Sequence, residues 1–421
     1  MVEIRAFRAH RYNKEIVGDY SKVIAPPYDV IMRDYRDKLR DRSPYNCIWV
    51  TLGEEIEENR EKNLYAEARK TLDKWISEGV IKQDEKPAIY VYEQAYTLAE
   101  GKELKRKGLI PLVKLTPFED GIVLPHEFTL SGPKVDRLEL LRATEFNTET
   151  IFALFKDDSS RINEILAEKM NSEPSFEATD DNNVISRLWV IDEENKVNEI
   201  VELMKGKKLF IADGHHRYET HVNYSKENPK ADAMPILLVE MNDSGLIVLP
   251  THRLMYGIEG FNFNDFIREL KDWFDTEKVS GSAKELEEKL AEKHEKAFIA
   301  RSRGKTVLFT LKDSTDLIEM MPDLVDELRT LDVSILHRLV IERLLGVSAE
   351  QIARKEHIQY IKDFEQAIEK ADSKEFDVGF LMNATKKQQV VDSCLAGQKM
   401  PQKSTYFYPK IVSGTLFRKI E

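Results

Sequence analysis

The stretch from Phe210 to Thr220 has the sequence Phe-Ile-Ala-Asp-Gly-His-His-Arg-Tyr-Glu-Thr. Its apolar start predicts a buried strand that breaks at Asp213-Gly214, and the polar residues after the break predict the start of a helix. A strand that enters a helix through a glycine brings backbone N–H groups and the positive end of the helix dipole to one point. His215, His216 and Arg217 add side-chain donors there. The stretch therefore predicts a phosphate site; the simpler alternative is a helix start capped by Asp213.

The composition is that of a globular protein with an acidic surface. The chain has 421 residues, of which 42% are hydrophobic and 33% charged, and its formal net charge is −12. This length suffices for two or three domains. The negative charge disfavours a nucleic-acid partner, because a broad nucleic-acid-binding face needs a positive surface.

The number of cysteines and the hydropathy pattern indicate the cellular compartment in which we expect the protein. Cys47 and Cys394 are too few for a disulfide framework, and no Cys/His group has the spacing of zinc ligands, so we expect a reducing cytoplasm. The first residues, Met1–Arg5, lack the apolar core of a signal peptide. No stretch approaches the roughly 20 apolar residues of a membrane span, so no membrane partner is expected. The composition is compatible with a homo-oligomer.

Predicted helices and strands alternate irregularly along the chain. Strands at 88–98 and 107–115 form a hairpin signal, and helices are predicted at 57–79, 134–143, 195–205 and 332–346. This pattern favours an α+β fold, with mixed sheets and flanking helices, over a regular doubly wound sheet. We expect residues 1–255 to form a mixed α/β region that contains the phosphate motif. Residues 256–421 would form a C-terminal α/β region whose tail returns to the site.

Two further segments concentrate polar side chains next to proline or glycine. In residues 25–30 two prolines stiffen a loop that presents Tyr28 and Asp29, although Asp29 could simply cap the next helix. In residues 126–137 an acid, a base, hydroxyls and cations surround a Gly-Pro pair, with Glu127 as the candidate base. The alternative for this segment is a loop that caps the helix at 134–143. Rigidly held loops often carry binding and catalytic residues.

The tail supplies a fourth candidate segment. Lys403 lies beside the hydroxyls of Ser404 and Thr405, a combination that suits an anion, while the aromatic residues around it could stack on a base or close the core. We expect residues 25–30, 126–137, 213–218 and 402–406 to converge in one site; in the alternative each segment caps its own element. Thr251-His252-Arg253 could line the same site, but an ordinary strand end is favoured.

Familiar catalytic motifs are absent from the sequence. It contains no Walker loop, no G-x-G-x-x-G after a strand, no kinase His-Arg-Asp loop and no G-x-S-x-G elbow. The common nucleotide-binding and hydrolase folds are therefore disfavoured.

Several long motifs nevertheless resemble the bacterial and archaeal family known as domain of unknown function 1015, and together they cover nearly the whole chain. They are Tyr12-Asn13, Ala25-Pro26-Pro27-Tyr28-Asp29-Val30-Ile31, Leu130-Ser131-Gly132-Pro133-Lys134, Asp136-Arg137-Leu138, Leu140-Leu141-Arg142-Ala143-Thr144, Asp213-Gly214-His215-His216-Arg217-Tyr218, Leu331-Asp332-Val333-Ser334 and Met400-Pro401-Gln402-Lys403-Ser404-Thr405-Tyr406-Phe407-Tyr408-Pro409-Lys410.

The motif Asp213-Gly214-His215-His216-Arg217 also resembles the phosphate-binding motif of the ParB/sulfiredoxin-like fold. In sulfiredoxins a cysteine nucleophile stands where this chain has His215. Reduction of a sulfinic acid needs that thiolate, so this activity is disfavoured. The form with two histidines is more similar to free serine kinases, which phosphorylate serine with ATP or ADP. The resemblance implies a ParB/sulfiredoxin-like nucleotide-binding core.

The leading hypothesis is a nucleotide-dependent phosphotransferase for a small hydroxylated metabolite, with free L-serine the best single acceptor. Its nucleotide, ATP or ADP with Mg²⁺, would be held by Gly214, His215, His216, Arg217, Tyr218, Lys403, Ser404 and Thr405, with Asp213 as the metal ligand. The candidates for acid–base catalysis are Asp29, Glu127, Asp213 and His216. The main alternative is a ParB-like regulator that binds nucleotide without turnover, and the third is a phosphatase or nucleotidase that uses the same anion site.

Overall fold

The computed structural model describes residues 1–52, 60–98, 100–128 and 131–421. Residues 57–59 of the predicted helix, and Thr129 and Leu130 of the second loop, lie outside the described residues. The chain divides into two compact units, which are described separately. Unit 1 comprises Met1–Pro125, Thr129–Leu246 and Pro409–Glu421, and unit 2 comprises His126–Phe128 and Ile247–Tyr408.

The described strands are β1 (Ile4–Arg5), β2 (His10–Tyr12), β3 (Ile81–Gln83), β4 (Ile89–Thr97), β5 (Glu103–Ile110), β6 (Leu112–Lys114), β7 (Val123–Leu124), β8 (Phe146–Asn147), β9 (Ile151–Phe155), β10 (Phe176–Thr179), β11 (Ile185–Ile191), β12 (Leu209–Asp213), β13 (Ala233–Glu240), β14 (Ile247–Leu249), β15 (His252–Met255), β16 (Phe274–Lys278), β17 (Ala297–Ser302), β18 (Lys305–Leu311), β19 (Ile358–Ile361), β20 (Val378–Met382), β21 (Tyr406–Tyr408) and β22 (Arg418–Lys419).

The described α-helices are α1 (Lys14–Val17), α2 (Arg33–Arg42), α3 (Ile48–Thr51), α4 (Arg60–Ser77), α5 (Ser131–Thr144), α6 (Arg161–Met170), α7 (Glu194–Met204), α8 (His215–Glu227), α9 (Phe263–Leu270), α10 (Ala283–Glu292), α11 (Leu317–Met320), α12 (Asp326–Arg329), α13 (Asp332–Ile335), α14 (Ala349–Ala353), α15 (Phe364–Asp372) and α16 (Lys387–Leu395). Short 3₁₀ turns lie at Tyr20–Lys22, Tyr28–Val30, Phe118–Asp120 and Pro229–Ala231, and a π-helix spans Leu336–Leu344.

Unit 1 is built on a ten-stranded sheet with the order β10-β11-β4-β5-β13-β9-β12-β7 and a side branch through β6 and β1. The predicted hairpin is confirmed, because β4 and β5 pair antiparallel from Tyr90–Ile110 to Thr97–Glu103. Every residue of β13 is buried, as its continuous apolar run favours. Beside it, β9 runs parallel to β13 and antiparallel to β12, so the strand that leads into Asp213-Gly214 lies between β9 and the short edge strand β7.

Unit 2 contains a six-stranded sheet with the order β16-β18-β17-β20-β15-β19, in which all neighbouring strands are antiparallel. Leu254, Ile299 and Leu381 pack with residues of α10 and α15 in its core. The apolar helix predicted at 332–346 is divided into α13 and the π-helix. An apolar pattern indicates burial, and it does not distinguish hydrogen bonds to residue i+4 from those to residue i+5.

The sheets of both units have helices beside them, which confirms the mixed α+β class predicted from the irregular alternation. The structure divides the chain between Leu246 and Ile247, whereas the sequence pattern placed the division after residue 255. The strand His252–Met255 pairs with β19 and β20 and therefore belongs to unit 2. Among the helices of the described residues, none combines the length and the hydropathy needed to cross a membrane.

A close approach of two strands in unit 1 gives a test of the fold. A Cβ added at Gly108 of β5 would lie 2.4 Å from the backbone oxygen of Leu238. We expect Gly108→Ala to lower the free energy of unfolding by about 3 kcal/mol, since strand backbone must move. Gly121, with φ 65 and open space around it, is the control, and Gly121→Ala should cost only about 1 kcal/mol of backbone strain. Equal losses in urea unfolding would contradict the register of β5 and β13.

Candidate active site

The helix α8 begins at a glycine that no other residue could replace without strain. Gly214 occupies the N-cap position with φ 95, in the left-handed region. A Cβ there would lie 2.7 Å from Cγ2 of Ile151 on β9. Since Gly214 has no side chain, it cannot cap the first N–H groups of the helix as a serine or aspartate would. The glycine thus serves the packing of β12 on β9 and also leaves this end of the helix open to an anion.

Asp213 does not act as the helix cap that the simpler alternative predicted. Its side chain turns instead to two cations: Oδ1 contacts the ammonium of Lys410, and Oδ2 lies 3.0 Å from Nη2 of Arg217. Burial alone would raise the pKa of this carboxyl, but Lys410 and Arg217 together hold the pKa well below its ordinary value. Asp213 is therefore ionised and carries one cation on each oxygen.

Arg217 links Asp213 to a second carboxylate that the motif analysis did not single out. Its Nη1 lies 3.7 Å from Oε1 of Glu149 and donates to the backbone oxygen of Thr150 at 3.3 Å. Only 5% of Arg217 is exposed. Burial lowers the pKa of its guanidinium, but Glu149, Asp213 and the more distant Asp29 outweigh this effect and raise it. The arginine therefore keeps its full charge inside unit 1.

Glu149 brings the loop at residues 25–30 to the same network. It accepts a hydrogen bond from the backbone N–H of Tyr28 at 3.4 Å, and its Oε2 lies 3.5 Å from Nη1 of Arg137. The guanidinium of Arg137 stacks on the Tyr28 ring, 4.3 Å from its centroid. Burial raises the pKa of the Tyr28 hydroxyl to about 12, so this phenol stays protonated. The next residue, Asp29, is exposed.

A narrow cavity borders this network in unit 1. Its volume is about 20 Å³, and its lining includes Arg137, Leu140, Phe146, Glu149, Arg217 and His221. A space of this size holds about one water molecule. A larger ligand would therefore have to approach Arg217 from the side of the helix start.

The remaining residues of the motif differ in their surroundings. His215 is buried, while His216 is partly exposed at the first turn of α8. Tyr218 belongs to the hydrophobic core, where its ring stacks on Phe118 and its hydroxyl donates to the backbone oxygen of Thr116 at 2.9 Å. The packing of Tyr218 fixes the orientation of α8, so this side chain has a structural role.

The other predicted site residues lie in unit 2. Nε2 of His126 and Oγ1 of Thr405 are 2.9 Å apart, and the N–H of Lys403 donates to Oε1 of Glu127 at 3.0 Å. The Ser404 hydroxyl donates a hydrogen bond to the backbone oxygen of Pro401. The first residues of the loop predicted at 126–137, His126 and Glu127, thus contact the loop predicted at 402–406 within unit 2.

The structure brings the predicted segments together in two groups. Residues 25–30 and 213–218 meet through Glu149 in unit 1, and residues 126–127 and 400–405 meet in unit 2. A single site formed by all four segments stays a prediction, as do the roles of Lys403, Ser404 and Thr405 in nucleotide binding.

Sequence reasoning missed three residues of the unit 1 network. Glu149 lies between two threonines before β9, in no recognised motif. Arg106 lies on β5, 4.6 Å from the Phe152 ring centroid, and donates to the backbone oxygen of Pro409, the residue before Lys410. Lys410 is the last residue of the tail motif, and the sequence predicts no function for it. Arg106 lies among the charged residues Glu103, Lys105 and Lys107 of β5, so no signal in the sequence distinguishes it from its neighbours. The partners of Glu149 and Lys410, which are Arg217 and Asp213, are known only from the folded structure.

The described residues offer no ready-made metal cage. Among them, no three or more His, Cys, Asp or Glu side chains form a group that could hold a metal ion. At Asp213 both oxygens already contact cations, so a metal ion there would have to replace one of them. The predicted Mg²⁺ therefore has no support from the protein ligands alone.

The comparison with protein families agrees with the motifs in the sequence. The model of a family described as "Protein of unknown function (DUF1015)" matches residues 4–334. The chain belongs to the DUF1015 family. This confirms the family resemblance that the motifs predicted, and it leaves the activity open. A search of the curated proteins finds no match to the chain.

Three solved structures show a distant likeness to the DUF1015 chain. A conserved hypothetical protein from Pyrococcus furiosus is 15% identical over 69% of this chain and 89% of its own, with a TM-score of 0.35. A free serine kinase in complex with AMP is 13% identical over 72% and 89%, with a TM-score of 0.38. SbnI with a C-terminal truncation, from Staphylococcus aureus, is 9% identical over 72% and 86%, with a TM-score of 0.37.

The contact between Lys410 and Asp213 predicts a shift in acid stability. Asp213 stabilises the folded chain above the unfolded pKa of about 3.8, and this contribution is lost as the pH falls toward the lower folded pKa. Lys410→Met should raise the folded pKa toward the unfolded value, so less of this stabilisation exists at neutral pH and less of it is lost in acid. The melting temperature of the variant should therefore fall less steeply than that of the parent between pH 6 and about pH 3.

The control is Lys419→Met, since Lys419 is an exposed lysine of the same C-terminal segment. Melting temperatures of the two variants and the parent, measured across this pH range, test the prediction. Parallel curves for Lys410→Met and Lys419→Met would show that Lys410 has no influence on Asp213.

Proposed function

We propose that this DUF1015 protein is a nucleotide-dependent phosphotransferase that acts on a small hydroxylated metabolite, with free L-serine as the first acceptor to test. The helix start at Gly214 carries the proposal, because Arg217 and Lys410 gather there around an ionised carboxylate. Phosphoryl transfer depends on positioning and charge neutralisation more than on covalent chemistry. In this proposal β12 and α8 belong to a ParB/sulfiredoxin-like core, and the nucleotide is ATP or ADP.

The side chains at the start of α8 are suited to a polyphosphate. Gly214 lets the backbone approach the phosphates closely, and His215, His216 and Arg217 supply donors around the positive end of the helix dipole. Arg217 and Lys410 are the two cations at this helix start, and the carboxylates of Asp213 and Glu149 balance them. In this proposal a phosphate group competes with these carboxylates for cations that are already in place.

Magnesium is proposed to arrive with the nucleotide. When bound, Mg²⁺ supplies further neutralisation of the phosphate charge and needs only one or two carboxylates from the protein. Asp213 is the residue we propose for it, because its carboxylate is held ionised at the end of β12. In this arrangement Lys410 is released toward the phosphates.

Asp29 is the carboxylate that we propose as the general base. Asp213 is a poor base, because its depressed pKa makes it a weak proton acceptor. Glu149 is enclosed by Arg137 and Arg217. Asp29, by contrast, is exposed, makes no ion pair with any described residue and contributes to the raised pKa of Arg217. It is thus close enough to influence the phosphate site and free to accept a proton from an acceptor hydroxyl.

A nucleotide-binding regulator of the ParB type is the second candidate, because the same helix start would hold a nucleotide without turnover. The experiment that separates the two is a metabolite screen with ATP or ADP and Mg²⁺, read by product mass. A gain of one phosphoryl group on a hydroxylated amino acid supports the kinase. Nucleotide binding without any product supports the regulator, and release of free phosphate alone supports a phosphatase or nucleotidase. Cys47 and Cys394 are buried and form no disulfide, which suits the cytoplasmic location that we propose; serine metabolism follows only from the proposed acceptor.

Replacement of the proposed base should separate catalysis from binding. We expect Asp29→Asn to reduce turnover by about 10²-fold or more while nucleotide affinity stays within a factor of about two, because a general base acts on the transferred proton. Asp34→Asn is the matched control, since Asp34 is another exposed aspartate nearby in the sequence. Calorimetry with ATP and ADP and steady-state rates on the active acceptor are the measurements. A variant that keeps full turnover would exclude Asp29 as the base.

The same network makes Arg217→Ala a poor probe of binding alone. Arg217 is buried between Glu149 and Asp213, so its replacement affects the stability of the fold as well as binding. Loss of one partner of a buried ion pair typically costs about 3–5 kcal/mol. We therefore expect Arg217→Ala to unfold at lower urea concentration than the parent chain, and Arg217→Lys to recover part of the difference.

A further inference from the structure

Unit 2 buries an arginine that has no carboxylate partner among the described residues. Arg253 extends from β15 and is only 1% exposed. All its hydrogen-bond acceptors are uncharged: the backbone oxygens of Thr251 and Lys403, Nε2 of His337 and Sδ of Met382. These groups satisfy hydrogen bonds but leave the positive charge uncompensated. Burial of an unpaired charge is costly, so a structural clamp alone would favour a neutral side chain.

The histidine beside Arg253 does not supply the missing charge. Nε2 of His337 accepts a hydrogen bond from Nε of Arg253 at 3.3 Å, so the ring is neutral with its proton on Nδ1. Burial and the nearby guanidinium both lower the pKa of His337 well below its ordinary value. His337 lies in the π-helix Leu336–Leu344. Helices of this type are rare in proteins, and those that occur are often found at functional sites.

Two donor groups of this cluster have no acceptor within the described part of the chain. A guanidinium has five N–H groups, and the contacts of Arg253 use four, which leaves one N–H on Nη2. The hydroxyl of Tyr360 is also buried without a hydrogen-bond partner. Tyr360 pairs with Arg253 across β19 and β15, and the guanidinium lies 5.6 Å from its ring centroid. A full positive charge and two unused donors together match an oxyanion.

Lys403 lies directly over this arginine in a strained backbone conformation. Its φ is 56, in the left-handed region that residues other than glycine rarely adopt. Its N–H is held by Glu127 at 3.0 Å, and its carbonyl oxygen is held by Arg253 at 3.1 Å. The side chain of Lys403 is exposed. A strained backbone that neighbouring groups hold in place is typical of binding sites. Here the contacts with Glu127 and Arg253 fix the position of the Lys403 backbone, from which the side chain extends.

We propose that Arg253, Tyr360 and Lys403 form a second anion-binding site, which takes a phosphate or carboxylate group of a small ligand. In this site an oxygen of the ligand accepts from the remaining N–H of Arg253 and from the Tyr360 hydroxyl, and the Lys403 ammonium contacts the same group from the exposed side. Glu127 and His337 are positioning residues, because Glu127 holds the Lys403 backbone and His337 holds the guanidinium. The site lies within unit 2 and does not depend on the function proposed for unit 1.

Titration calorimetry of the full chain with inorganic phosphate, and separately with acetate, tests the proposal. We expect Tyr360→Phe and Lys403→Met each to weaken the binding of the preferred anion by about tenfold, the effect of one lost hydrogen bond to a charged group. The matched controls in the same unit are Tyr256→Phe and Lys374→Met, which should leave the affinity unchanged. Binding of phosphate alone identifies a phosphate ester as the ligand class, and binding of acetate alone identifies a carboxylate.

The outcomes separate this site from the one in unit 1. If the parent chain binds neither anion, or if both Tyr360→Phe and Lys403→Met bind as the parent does, Arg253 is a structural anchor and the proposal is overturned. Lys410→Met, which changes a residue of unit 1, should keep the Arg253 site. A chain that binds phosphate in a Tyr360-dependent way but binds neither ATP nor ADP would contradict the proposed function and support this inference.

Discussion

One partly buried carboxylate connects the turn from strand to helix in unit 1 with the remote C-terminal tail. Asp213 ends the strand β12, Arg217 lies one turn into α8, and Lys410 comes from the C-terminal tail. Charges that are removed from water must be matched by partners at close range, so displacement of any of the three leaves the others uncompensated. This requirement couples the strand, the helix and the tail, and it explains why the last residues of the chain belong to the same unit as the motif.

A second carboxylate extends this network to the surface. Glu149 contacts Arg217 and Arg137 and holds the backbone of Tyr28, so the stiff loop with two prolines is fixed beside the helix start. The acidic groups of the site consequently differ in kind. Asp213 and Glu149 are paired with cations and fix the geometry, whereas Asp29 is exposed and makes no ion pair with the described residues. This division of labour follows from burial and pairing, and residue type alone does not reveal it.

Unit 2 places its buried cation in a different environment. Arg217 has two carboxylates within reach, while Arg253 has only backbone oxygens, a histidine nitrogen and a thioether. Burial lowers the pKa of Arg253 to about 10, whereas the pKa of Arg217 is raised. The two arginines are thus buried in different ways. Carboxylates balance the charge of Arg217, whereas the charge of Arg253 has no such partner among the described residues and is available to an external anion in our proposal.

The sequence by itself determined the family, the α+β class, the hairpin of β4 and β5 and the change from strand to helix at Gly214. These features depend on local rules: apolar periodicity, turn residues and the conformational freedom of glycine. Only the tertiary structure decided the partners of Asp213, the role of Glu149 beside Arg217 and the isolation of Arg253. Lys410 is remote from Asp213 in the chain, and β5 and β13 meet only in the folded sheet, so no local pattern specifies those contacts. The fate of a charged side chain depends on what surrounds it after folding, and that environment is assembled from distant segments.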